Sequence, residues 1–353
     1  YGFTLEAPIE VVTLRVEGID YGGWTDIKSI RTGLDALAGG FSVGLTERWP
    51  GAAYRPIHKE DAVQVRIGDT VVVNGYVDEV ERELSTSSHT ITVTGRDATS
   101  DLVDCAAMNS PGEWKDRGLV EIVADLCAPF GIRVELAGGV NPGKPFALFT
   151  LQKGEKAAAA IQRLCAARGI LPYSDGRGVL VLGPGAPGGA GALTEGRNAQ
   201  VLRAKDRRIG RGRENTVYAL AGLWGDAAAN AGTTGHAHDA GIRRYRPTAR
   251  MADDLADGIT AQQQAAWEAM VARAKAQTAS VRVQGWRHAG GLWRPNTLAR
   301  VTAPSVMLDS DRLIASVEYT LDASAGTLAT LSLVGPGAFT LLATKDPGGV
   351  GAW

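Results

Sequence analysis

Residues 281–296, running on to 313–322 and 327–334, alternate apolar and polar side chains through most of their length. A period of two places successive side chains on opposite faces, so these stretches can bury one face only as β-strands. A helix would scatter the same apolar residues around its circumference. Trp286 and Trp293 bracket Gly290 and Gly291, which predicts an aromatic-rich hairpin with the glycines at its turn. The chain therefore ends in a sheet, and the rest must supply what its apolar face covers.

The same alternation returns near the N-terminus, in residues 13–17, 41–46 and 63–67. Gly68 and Asp69 separate the last of these from residues 70–73, and Asn74-Gly75 then predicts a hairpin turn, because both positions tolerate positive φ. Residues 76–84 return, 85–88 turn and 90–94 close the sheet, a spacing that suits a barrel or sandwich. After Asp101 the period changes. Leu119, Val120, Ile122, Val123, Leu126 and Cys127 recur at helical spacing with Gly131 as a stop. Residues 132–136 read as a strand, 155–168 as an alanine-rich helix ended by Gly169, and 173–182 as strand, turn and strand. Residues 183–191 are rich in Gly, Pro and Ala and read as a linker. Strands are expected at 198–202 and 216–223, a mobile loop at 225–241, and the longest helix at 250–279, carrying Leu255, Ile259, Trp267, Met270 and Val271. The tail at 345–353 reads as unstructured. These shifts define a β-rich α+β chain: a first β-barrel (1–103), an inserted α+β domain (104–182), a linker, long helix and second β-barrel (183–340), and a flexible tail (341–353).

A formal net charge of −1 provides no global field to collect nucleic acid or membrane. No apolar run approaches the roughly 20 residues that span a bilayer, so no membrane insertion is expected. Residues 1–10 show no basic region followed by an apolar core, hence no signal peptide. The three cysteines form no CxxC pair; Cys127 and Cys165 lie on helical apolar faces, and buried thiols in a reducing compartment are expected.

Motifs that could carry chemistry are few. Gly40-Phe-Ser-Val-Gly44 has the spacing of a nucleophile elbow, but that device needs a strand-to-helix turn, and residues 45–50 have no helical period. Ser42 is expected to be a strand serine. His236, His238 and Asp239 are competent metal ligands, yet no further cluster completes a site. Glu113, Asp116 and Glu121 are close in sequence, but glycoside cleavage needs two carboxylates across a cleft, and Glu121 fits the polar face of a helix. Residues 210–214 lack a full dinucleotide fingerprint. Neither enzyme activity nor a cofactor is expected. Residues 203–213 form the one dense basic stretch, with Arg243, Arg244, Arg246 and Arg250 as a second; a solvated or interface-forming face, pairing with a protein partner, or contact with a phosphate backbone would each use them. Trp24, Trp49, Trp286, Leu292 and Trp293 fit either core packing or burial against a neighbouring subunit. With Arg207, Arg208 and Arg211 they are the candidate subunit or partner interface.

Taken in order, these segments resemble the baseplate hub proteins of contractile-tailed phages of the Mu type. Trp24 after a glycine turn, residues 41–51 and residues 71–80 look like that family's first barrel. Thr94-Gly-Arg-Asp97 followed by residues 101–105 is similar to the exit from it. Residues 155–171 and Ser174-Asp-Gly176 look like the middle domain, and Gly285-Trp286, Leu292-Trp293 and residues 328–333 like the second barrel. More remotely the chain resembles the T4 hub and the N-terminal part of the type VI secretion spike protein. The resemblance implies a homotrimer in which two similar antiparallel β-barrels per chain form a ring. Such a ring joins the sixfold tail tube protein to the trimeric tail spike protein, contacts baseplate wedge proteins, and meets DNA only in transit. It would reside in the virion tail baseplate after assembly in the bacterial host cytoplasm. It also leaves open a metal on the threefold axis, held by His236 or His238. A carbohydrate- or envelope-binding β module, with Trp286 and Trp293 as a sugar platform, is the alternative reading.

Overall fold

A computed structural model describes residues 10–22, 26–46, 57–84, 89–183, 188–189, 191–206, 216–220, 234–251, 259–322 and 324–347. The N-terminal strands are β1 (Val12–Val16), β2 (Ile19–Tyr21), β3 (Asp26–Gly33), β4 (Gly40–Thr46), β5 (Ala62–Ile67), β6 (Thr70–Leu84) and β7 (His89–Asp97), paired in the order β3-β4-β7-β6-β5-β1-β2. The alternation does what its period predicts: Val12, Leu14 and Val16 of β1 face inward with Val63, Val65 and Ile67 of β5. Glu17 and Gly18, both at positive φ, make the tight turn between β1 and β2.

Asn74-Gly75 is not a turn. The reversal between β5 and β6 falls at Gly68-Asp69, with Gly68 in the left-handed region, and Asn74-Gly75 lies inside the 15-residue strand β6. Glycine is needed at 75 for a different reason. A Cβ there would sit 2.1 Å from the Arg96 carbonyl oxygen of β7.

The inserted unit contains α1 (Ser100–Asp104), β8 (Glu113–Arg117), α2 (Leu119–Cys127), β9 (Arg133–Leu136), β10 (Phe146–Thr150), α3 (Ala157–Ala166), β11 (Leu171–Ser174) and β12 (Val179–Gly183). Leu119, Ile122, Val123, Leu126 and Cys127 form the buried stripe of α2, one face of a 3.6-residue period. They share a separate core with Ile161, Leu164 and Cys165 of α3 and with Phe146 and Phe149 of β10. The thiols of Cys127 and Cys165 are pushed up to about 12 by burial, whereas Cys105 is exposed, contrary to the expectation of buried thiols alone.

The C-terminal part contributes β13 (Gly188–Gly189), β14 (Leu193–Thr194), β15 (Ala199–Asp206), β16 (Thr216–Leu220), β17 (Thr234–His238), β18 (Pro247–Met251), α4 (Ala261–Ala276), β19 (Gln277–Gln284), β20 (Arg287–His288), β21 (Gly291–Leu292), β22 (Thr297–Ala303), β23 (Leu308–Asp322) and β24 (Gly326–Val334). Strand structure thus reaches into the stretch read as a loop, at β17, and into both ends of the stretch read as one helix. Residue 251 closes β18 and residues 277–279 open β19; Leu255 lies outside the described residues. Thr260 and Gln263 cap α4 reciprocally, at 3.2 and 2.8 Å. Its face toward β16 is alanine, although Val271, one of the large apolar residues that suggested the helix, is also buried. Ala261, Ala265 and Ala269 are buried against Val217, while Met270 is exposed. The small face lets β17 come close: a Cβ on Gly235 would lie 2.3 Å from the Ala261 backbone.

The two halves are one sheet. β23 pairs antiparallel with β3, joining Ser316 to Gly33 and Tyr319 to Ile30, so in a 14-stranded sheet an 11-strand ladder runs from β15 through β19, β24, β23 and β3 to β2, with β22, β13 and β14 branching off at β23. Among the described residues this ladder stays open. The two closed barrels implied by the resemblance are therefore not found as closed ladders; the chain is strand-rich with one sheet spanning both ends.

A buried carboxylate seats the inserted unit on that sheet. Asp97, at the end of β7, accepts from the Gly39 amide (2.8 Å), the Thr99 amide (3.1 Å) and the Ser174 hydroxyl (2.7 Å), and also contacts the Thr99 hydroxyl. Burial pushes its carboxyl up, and these donors draw it partly back. Beside it the Asn74 amide donates to the Gly176 carbonyl at 2.7 Å, and the Asn74 side chain to the Arg177 carbonyl at 3.1 Å.

Candidate assembly interface

The β20–β21 hairpin places the tryptophans, but turns them inward. Trp286 is 0% exposed; its indole N–H donates to the carbonyls of Thr320 (3.2 Å) and Leu328 (3.1 Å). Its amide donates to both oxygens of Glu10, at 2.8 and 2.9 Å, and its ring meets Tyr319 edge-on at 6.3 Å. The Tyr319 hydroxyl donates to the Trp293 carbonyl, and burial pushes that hydroxyl's pKa up. Trp293 is 2% exposed and stacks obliquely on His288 at 4.6 Å; Leu292 is also buried. Burial holds the His288 pKa down. Arg287 donates across to the Ile67 carbonyl of β5 at 3.3 Å. This cluster joins the two ends of one chain. A fully covered Trp286 has no area left for a neighbour to bury, and within this chain Trp286, Leu292 and Trp293 all pack into the fold. The other candidates, Trp24, Trp49, Arg207, Arg208 and Arg211, lie outside the described residues.

What the chain offers outward is different. β15 pairs with β19 on one side, and β2 ends the other side of the ladder, with Arg203, Ala204 and Lys205 of β15 exposed. Met307 is 96% exposed in a left-handed conformation (φ 53°) at the tip between β22 and β23. Tyr245 stands 77% exposed beside exposed Arg243 and Arg244. Unpaired strand edges of this kind are surfaces that assemblies commonly cover, whereas single exposed apolar side chains are ordinary on a protein surface. In the sequence the tip at Met307 is marked only by the Pro304-Ser305 interruption between two strands.

The chemical motifs resolve into structural roles. Ser42 lies in β4 and its hydroxyl accepts from Thr94 at 3.2 Å. His236 and His238 lie on exposed strand positions, while Asp239 is buried against Arg273 at 3.2 Å. Among the described residues no group of three or more potential ligands could hold a metal ion. A 310 Å³ cleft lined by Glu113, Trp114 and Asp125 has its carboxylates engaged: Glu113 with Lys115 at 2.9 Å, Asp125 with the Trp114 indole at 2.9 Å. Glu121 accepts from the Gly118 amide at the start of α2. No described helix is long and apolar enough to cross a membrane.

Three family models match. Residues 11–97 match the N-terminal domain of Mu phage baseplate assembly protein GpP-like proteins, residues 99–184 the second domain of baseplate hub protein gp44-like proteins, and residues 258–342 the fourth domain of Mu phage baseplate assembly protein GpP. The chain is 34% identical over 314 residues to the baseplate hub protein gp44 of Escherichia phage Mu, covering 86% of this chain and 82% of that one. It superposes on the 43 kDa tail protein of prophage MuSo2 from Shewanella oneidensis with a TM-score of 0.81 at 32% identity, covering 94% of this chain and 100% of that one. A tail protein from Neisseria meningitidis MC58 shares the fold at TM-score 0.76 and 21% identity, over 94% and 99% of the two chains. These relatives are tail and baseplate proteins by name. A strand-rich chain with inward-turned motifs, matched along nearly its whole length, belongs to the Mu-type baseplate hub family of phage tail proteins.

Proposed function

We propose that the chain assembles as a homotrimer at the centre of the tail baseplate, joining the sixfold tail tube to the trimeric spike and leaving a channel for DNA. The observation that carries this is the match to the Mu baseplate hub over most of both chains. The open ladder supports it: exposed strand edges template further pairing, and a closed ring of copies covers them without leaving a free end. The two sheet halves of each chain would then supply six barrel-like walls. A net charge of −1 suits a conduit, because a strongly basic lumen would hold the phosphates of its cargo. The location is the virion tail, reached by assembly in the host cytoplasm. Burial of both Trp286 and Trp293 counts against the carbohydrate-binding alternative, which uses them as an exposed sugar platform.

Light scattering tests the oligomer. Three chains of 37.0 kDa give about 111 kDa. That mass, with a threefold ring and an open centre in electron micrographs, is the expected result. A strict monomer at every concentration overturns the homotrimer, and a trimer without a passage overturns the conduit.

A further inference from the structure

The segment after β24 does not trail into solvent. The Gly335 amide donates to the Ala274 carbonyl at 3.0 Å, and a Cβ at 335 would lie 2.6 Å from the Ala274 Cα. Gly337 passes Met270 of α4, and the Trp267 indole donates to the Thr340 carbonyl at 2.9 Å. The chain then crosses to the inserted domain. There the Thr344 amide donates to the Ala166 carbonyl at 3.0 Å, and the Asp346 carboxylate meets the Arg168 guanidinium.

The receiving surface is built for this. The Arg168 side chain is only 9% exposed. Its guanidinium lies 3.7 Å over the Phe146 ring and donates to the carbonyls of Lys144 (2.9 Å) and Ala167 (3.3 Å). Gly143 leaves room for it, since a Cβ there would be 2.6 Å from its Cδ. Gly169, at φ +64°, leaves room for the crossing segment: a Cβ would come 3.0 Å from the Ala343 amide nitrogen. A guanidinium held flat against an aromatic ring presents its remaining donors as a fork that matches a carboxylate. Among the described residues the carboxylate on it comes from 178 positions away. A buried cation strongly favours keeping such a partner.

We propose that the Arg168 cradle is a docking site for an extended carboxylate-bearing segment, occupied by residues 340–347 as a releasable strap that couples the inserted domain to α4. Its release leaves the inserted domain seated by the Asp97–Ser174 joint, on the sheet side. The strap is a property of one chain and does not rest on the trimeric ring.

Hydrogen exchange on the full-length chain tests it, comparing wild type with Asp346→Asn, Asp346→Glu and Thr344→Pro. Losing one charge-assisted hydrogen bond should speed exchange about tenfold at the Thr344 amide and at residues 167–170 in Asp346→Asn. Thr344→Pro should expose residues 167–170 similarly, and Asp346→Glu should restore protection. β23, β24 and α2 should exchange as in wild type. Unchanged exchange at 167–170 in Asp346→Asn overturns the strap. So does a rise spread evenly over the inserted domain, which would mean general destabilisation instead of release.

Discussion

The inserted domain draws its core from one contiguous stretch, between Leu102 and Leu182, where α2 and α3 close over short strands. The large sheet instead brings together residues as far apart as Ser29 and Glu318, 289 positions distant, whose side chains hydrogen-bond at 2.8 Å. Both bury apolar faces, but the first pays little loop-closure entropy and the second needs both chain ends present before β3 can meet β23. The inserted domain is therefore the part expected to form or open by itself, and the sheet the part that stands or falls as a whole. They meet at the Asp97 carboxylate and at Asn74-Gly75 of β6, and again where the segment after β24 reaches Ala166 and Arg168.

The hardest blow to the sheet should come from Trp286→Ala. Truncating a wholly buried tryptophan costs about 3–5 kcal/mol, and urea denaturation should show that loss in folding stability. A variant that keeps wild-type stability but loses subunit association would restore the tryptophan to an interface and undo this account. Gly75→Ala comes next, at about 1–3 kcal/mol, because the added Cβ must push β6 away from β7. A neutral result by the same denaturation would mean that β6 can shift without disturbing the joint.

Asp97→Asn addresses the joint itself through pH. Burial holds this carboxyl above its ordinary 3.8, so the folded chain binds that proton more readily than the unfolded chain. Its contribution is then most favourable below 3.8 and declines as pH rises through the folded value. Subtracting the urea stability of Asp97→Asn from that of wild type, between about pH 3.5 and about pH 7, should give a difference that shrinks with rising pH. A constant or growing difference would show that the four donors outweigh burial. The smallest effect is expected from Cys105→Ser, within about 0.5 kcal/mol because the residue is exposed. Thiol labelling of that variant sharpens the comparison. Cys127 and Cys165 should react only when the inserted domain opens, and reaction while β23 and β24 stay protected against exchange would show that it opens alone.

Much of this was legible in the residues. The period-two runs located most of the strands of the large sheet, and the 3.6-residue stripe predicted for α2 contains all five of its buried residues, with half-buried Val120 beside them. Two features misled. Asn74-Gly75 has the composition of a turn, yet its glycine serves a close strand crossing and its asparagine serves a neighbouring domain. The long C-terminal helix is shorter than its apolar residues suggest, and of Trp267, Met270 and Val271 only Val271 is buried; its face toward β16 is alanine, which carries little hydropathic contrast.

By itself the sequence determined the regularly alternating strands and the apolar stripe of α2, because periodicity is a local property and each face must be apolar where it is buried. It also determined the family, through the order of weak segments along the whole length. Only the tertiary structure decided that the two β-rich ends form one ladder through β3 and β23, that Trp286 and Trp293 face inward, and that Asp97, Asn74 and Arg168 act as joints. Those outcomes depend on which residues distant in sequence meet. Side-chain identity at a single position does not encode its partner, because the same tryptophan gains by burial against its own chain or another.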